Sequence, residues 1–122
     1  MIPPALKKLR LYYDCRKFIV VIYRLTKLLP DDEKYGLISQ MRRAAISVLA
    51  NIVEGYGRDS DKEQLRFYNI ALASFREVEC YLLVLKDLEY IDVLKFNYTS
   101  ELKDKVGGQL VNFIKTKKEK KW

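Results

Sequence analysis

LISQMRRAAISVLANIVEGYGR, residues Leu37 to Arg58, is the stretch whose reading decides the fold. At about 100° per residue, Leu37, Met41, Ala44, Ala45, Val48 and Ile52 share one broad apolar face, with Leu49 and Val53 on its flank. Gln40, Arg43, Ser47, Asn51, Glu54 and Arg58 fall on a narrow polar stripe of the same helix. A merely solvated face would carry interchangeable Lys and Glu. This one mixes Ser, Asn and Gln, which are indifferent helix formers, with one acid and two arginines. Such a stripe suits a hydrogen-bonded network, with Glu54 and Glu77 as the natural carboxylates for a buried Arg43 and with Ser74 within reach.

Outward from this helix the same periodicity recurs. Upstream, Leu11, Cys15, Phe18, Ile22, Leu25 and Leu29 form one apolar line, closed by Pro30, while Arg10, Lys17 and Arg24 lie off it. Downstream, Gly55 and Gly57 punctuate the helix end, and Ser60 with Glu63 makes a capping box for the next start. The third stripe is read as Phe67, Ile70, Ala71, Ser74, Val78, Tyr81, Leu85 and Leu88. Tyr68, Leu72, Phe75 and Leu83 lie outside it, which makes them candidates for a contact with another subunit. A last helix, N-capped by Asp92, carries Tyr98, Leu102, Val106, Leu110, Phe113 and Ile114. Gly107 and Gly108 in its middle mark either a close helix approach or a bend. Helices over about 6–29, 33–56, 61–89 and 93–117 with short links predict an all-α, antiparallel up-down four-helix bundle formed by one domain over 1–122.

A chain of 122 residues, 49% hydrophobic and 32% charged, can bury a core without staples. No segment approaches the roughly 18 apolar residues of a membrane span, and the basic start lacks a leader-like apolar core, so a cytoplasmic location is expected. Cys15 and Cys80 sit in apolar helical patterns and are expected as buried, reduced thiols. With no histidine, the chain lacks the commonest general base and the usual partners of zinc or of a nucleophile. No enzyme activity, metal, cofactor or small-molecule substrate is therefore expected. The glycine-rich GYGRDS resembles a phosphate loop only superficially, because Asp59, Asp61 and Glu63 already occupy the following helix start.

The charge balance favours association with polyanions or anionic surfaces, although such an excess also serves solubility alone. The 23 Lys and Arg exceed the 16 Asp and Glu by seven. Lys7, Lys8, Arg10, Arg16 and Lys17 lie near one terminus, and Lys115, Lys117, Lys118, Lys120 and Lys121 near the other. An antiparallel bundle brings those termini to one end, with Tyr12, Tyr13 and Trp122 supplying aromatics. Basic groups interleaved with aromatics suit a phosphate backbone; the bland alternative is a solvated, frayed tail.

QMRRAAISVLANIVEGYGR, the S-x-x-E that follows and IALASFREVE at 70–79 resemble the signature of the four-helix-bundle proteins encoded by intervening sequences within bacterial 23S ribosomal RNA genes. That family includes the accessory variability determinant of diversity-generating retroelements. The resemblance runs from about Phe18 to Ile91, with IYRLTKLLPDDEKYGL matching the approach to the motif. It implies a homopentameric ring with a basic surface, association with nucleic acid and, in the retroelement branch, a reverse transcriptase as protein partner. Its motif positions here are Arg42, Arg43, Ser47, Asn51, Glu54, Gly55, Arg58, Ser74 and Glu77. Ala73 and Val53 stand where the family often has glycine and alanine, adding bulk at expected packing positions. Two readings follow: a nucleic-acid-associated module, or a scaffold for a nucleic-acid enzyme.

Overall fold

The structure, a computed structural model, describes residues 1–119; Lys120, Lys121 and Trp122 lie outside the described residues. The described chain is all-α, without strands. A single turn, α1 (Pro4–Lys7), precedes α2 (Arg10–Thr26); α3 (Ser39–Tyr56), α4 (Asp61–Asp87) and α5 (Val93–Glu119) follow. Each long helix packs on its chain neighbour, α3 against α4 most extensively, and α5 closes back on α2. One core cluster draws on all five helices, with Phe18, Ile22, Met41, Ile52, Leu82, Leu85 and Leu110 fully buried at its centre. Full burial of each such side chain contributes about 1.5–3 kcal/mol.

The first helix is not the continuous one expected over 6–29. Leu9 is extended (φ −76°, ψ 136°) and breaks the chain between α1 and α2, with Pro4 at the first helical position of α1. Breaking there turns Leu6 inward, where it is fully buried. Nor does a regular helix begin at 33. A 3₁₀ turn, Asp31–Glu33, and a wide π turn, Lys34–Ile38, come first, because Gly36 departs from helical geometry (φ −107°, ψ −111°).

The α3–α4 turn follows its chemistry only in part. The Glu63 amide donates to Ser60 Oγ at 3.1 Å, but the Glu63 carboxylate accepts from Arg66 at 3.0 and 3.3 Å, so the reciprocal half of the capping box is replaced by an ion pair. At its far end α4 stops at Asp87, close to the expected 89, and Glu89 just beyond it is left-handed at φ 58°. The Glu89 amide donates to the Lys86 carbonyl and the Tyr90 amide to the Leu85 carbonyl, both at 3.0 Å, which is a Schellman ending without the usual glycine. The Lys95 amide donates to Asp92 Oδ1 at 2.8 Å, the cap expected for α5, which then runs straight through both glycines to Glu119.

The inward face of α4 is rotated from the one read in the sequence. Leu65, Tyr68, Ala71, Phe75, Val78, Leu82 and Leu85 are buried, whereas Ile70 and Leu88 are exposed. Lying between α3 and α5, this helix spends a wide arc on two neighbours within its own chain. Tyr68 packs edge-on against Phe113 at 4.8 Å and Phe75 faces Phe18 at 6.1 Å. These two interface candidates are thus core residues; Leu72 is half-buried and Leu83 alone of the four is exposed. Cys15 is buried as expected, and burial pushes its thiol up to about 12, but Cys80 is exposed.

Candidate nucleic-acid interface

Direction decides whether the two basic clusters meet. Gln109 Nε2 of α5 donates to Asp14 Oδ2 of α2 at 2.8 Å, while Leu25 and Leu28 share a groove with Leu94 and Tyr98 at the other end. The two helices are therefore antiparallel, and the start of α2 lies at the end where α5 finishes. Lys7, Lys8, Arg10, Arg16, Lys17, Lys115 and Lys118 are all exposed there. Arg10 lies over the Tyr13 ring at 5.9 Å and Arg16 over Tyr12 at 5.7 Å, so each cation leaves its outer face to solvent while an aromatic steadies it. Lys117 differs: it is bound to Asp61, pinning the end of α5 to the start of α4. Lys120 and Lys121 lie outside the described residues.

The motif positions go elsewhere. Arg42 donates from Nε to Thr26 Oγ1 at 2.9 Å and from an Nη to the Tyr23 carbonyl at 3.2 Å, with its guanidinium 4.6 Å from the Tyr23 ring centre. It thereby puts a cation on the C-terminal carbonyls of α2, where the helix dipole favours one. Ser47 Oγ and Ser74 Oγ share a hydrogen bond of 2.9 Å across α3 and α4, and Asn51 Nδ2 donates to both the carbonyl and the hydroxyl of Ser47. Glu54 pairs with Arg58, whose guanidinium rests 4.6 Å above the Phe67 ring. A Cβ on Gly55 would come within 2.7 Å of the Tyr68 ring and 2.9 Å of Phe67 Cβ, so glycine there sets how closely α3 approaches α4.

Arg43 departs from expectation. It is exposed and makes no ion pair among the described residues, because its neighbour Arg42 is the arginine turned toward α2. Glu77, the other expected partner, accepts instead from Tyr81 Oη at 2.7 Å. Ala73 is exposed and Val53 half-buried, so neither stands deep in the packing.

One polar site gives no sequence signal. Asp14 is 2% exposed, facing Gln109 and, at 3.4 Å, Lys105 Nζ. Burial pushes its carboxyl up, but the Gln109 hydrogen bond and the Lys105 charge more than offset this and leave its pKa below the ordinary value. Gln109 Oε1 is buried without a partner among the described residues. A lone acid on an amphipathic helix reads as solvated, and its hydrogen-bond partner Gln109 lies 95 residues away.

Against known proteins, the model of the 23S rRNA-intervening sequence protein family matches residues 7–112. The chain belongs to that family. A crystal structure of a protein of unknown function from the S23 ribosomal protein family of Bacteroides thetaiotaomicron superposes with a TM-score of 0.78 at 27% identity, covering 86% of this chain and 98% of that one. A search of curated proteins found no match. In this intervening-sequence protein Arg42, Ser47 and Ser74 of the motif join helices to one another, while basic side chains of α1, α2 and α5 face solvent at one end.

Proposed function

We propose that the protein is a non-enzymatic, basic module that associates with nucleic acid through Lys and Arg contacts to phosphates, with little base readout. One observation carries the reading: Lys7, Lys8, Arg10, Arg16, Lys17, Lys115 and Lys118 are exposed at one end of the molecule and, among the described residues, none of them is held in an ion pair. In this reading the four long helices form an up-down four-helix bundle, and five copies form a ring that multiplies the +7 charge of each chain. A cytoplasmic location fits it, as does the absence of any described helix long and apolar enough to cross a membrane. The test is binding of a labelled structured RNA across a salt series, with native mass measured on the same sample. Affinity falls linearly on log–log axes with a slope of about −0.7 to −0.9 per phosphate neutralised, and Gln at Lys7, Lys8, Lys115 and Lys118 flattens it. Absence of binding at low salt contradicts the reading.

A second reading, a scaffold for a protein partner such as a reverse transcriptase, is favoured by the opposite end. There Leu28, Leu94 and Tyr98 are all more than half exposed and flank a groove of about 440 Å³ that also touches Val21 and Leu25. Exposed apolar side chains gathered in one place suit a protein contact better than a polyanion. A stable oligomer that binds no RNA or DNA at low salt would favour this reading.

A further inference from the structure

Gly107 and Gly108 stand side by side in opposite surroundings. A Cβ on Gly107 would lie 2.9 Å from two ring carbons of Phe75, so glycine there lets α5 rest on α4. A Cβ on Gly108 would meet nothing within 4 Å. Glycine in the middle of a helix is destabilising relative to alanine, and at Gly108 no contact within the chain requires it. What it does is keep one side of α5 bare.

That bare side borders a furrow of about 490 Å³ between α4 and α5. Its lining charges divide into two sets. Lys103 is committed to Glu79 at 3.2 Å and Asp104 at 2.9 Å. Arg76 and Lys115, also lining the furrow, are exposed and make no ion pair among the described residues. Two cations without a carboxylate partner on one furrow favour an anion there, and Asn112 adds amide donors to the same lining.

We propose that this furrow holds the phosphodiester backbone of a nucleic acid, which approaches α5 at Gly108 while Arg76 and Lys115 contact its phosphates. The inference rests on the nucleic-acid reading above and deepens it, carrying the contact surface from the basic end along the α4–α5 face. Arg76 forks to two phosphate oxygens, and Lys115 acts as a point charge. Bare backbone at Gly108 lets a sugar–phosphate chain come nearer the helix than any side chain would allow.

The test uses the full chain with a labelled RNA hairpin and the DNA hairpin of the same sequence, each titrated across a salt series; comparing the two arms tells which nucleic acid is the better ligand. Gly108→Leu melts no lower than the wild type and keeps its native mass, because position 108 is exposed and a Cβ there meets nothing within 4 Å. It nevertheless binds more weakly, with the salt slope reduced by about 1 or more, and Arg76→Gln alone reduces the slope by about 1. If both variants bind like the wild type while Lys7→Gln with Lys8→Gln weakens binding, the furrow assignment is wrong and the basic-end reading stands. If Gly108→Leu changes the native mass, the furrow is a contact between copies and the proposal falls. A wild type that binds neither hairpin overturns both readings together.

Discussion

The α3–α4 hairpin and the α2–α5 pair divide the molecule between them. In the hairpin, most polar motif side chains meet a partner inside the chain: Ser47 with Ser74, Asn51 with Ser47, Glu54 with Arg58. In the α2–α5 pair the buried Asp14, facing Gln109 and Lys105, ties the two helices in register, while basic side chains crowd one end and apolar ones the other. The half richest in recognisable sequence is the half whose chemistry is internal. A family signature can therefore mark how two helices fit, while the outward-facing chemistry sits where the signature is thin.

Breaking the hairpin costs most. Gly55→Ala drives a methyl against Tyr68 and Phe67 and lowers stability by about 2 kcal/mol or more, read by denaturant or thermal unfolding. Gly108→Ala, the same change in open space, is neutral or stabilising. Equal losses at the two sites would remove the distinction between a glycine set by packing and one left bare.

The next largest effect tests the register of α2 on α5. Because the Asp14 carboxyl sits below its ordinary value of 3.8 in the folded chain, its contribution is present above that pH and is lost as pH falls through the folded value. The wild type loses this contribution on the acid limb, below about pH 4. Asp14→Asn lacks it already, so the two stability curves converge in acid and separate toward neutrality, by about 1–2 kcal/mol. Parallel curves at all pH values would show that Asp14 carries no favourable charge interaction.

Smaller still, Ser47→Ala and Ser74→Ala each cost about 1 kcal/mol, and the double variant costs less than their sum because they share one hydrogen bond. Strict additivity would separate the two hydroxyls. The smallest effect has the opposite sign: Glu89→Gly raises stability by about 0.5–1 kcal/mol by relieving a left-handed backbone at the end of α4.

Much of the fold was legible because its inward residues recur at helical spacing. The line from Leu11 to Leu29, the end of α3 at Gly55–Gly57, and the caps at Ser60 and Asp92 all stand where the sequence places them. The phase of α4 was not legible. Phe67, Ile70 and Tyr81 are as apolar as Leu65, Tyr68 and Leu82, and only the positions of α3 and α5 choose between the two stripes. The choice of Arg42 over Arg43 likewise depends on where α2 ends. The break at Leu9 carries no glycine or proline to announce it. Of the candidate interface, exposure of the basic residues was legible, but the ion pair that holds Lys117 and the furrow beside Gly108 arise only from packing.

The most direct test sets the two halves against each other in one experiment: melting temperature and the salt slope of RNA binding, for one variant with Ala at Ser47, Asn51 and Ser74 and another with Gln at Lys7, Lys8, Arg10 and Lys118. If the hairpin's polar chemistry is internal and the basic end binds, the first variant has a lower melting temperature with an unchanged slope, and the second an unchanged melting temperature with a flatter slope. A first variant that melts like the wild type yet loses RNA, or a second that keeps the full slope, would contradict that division.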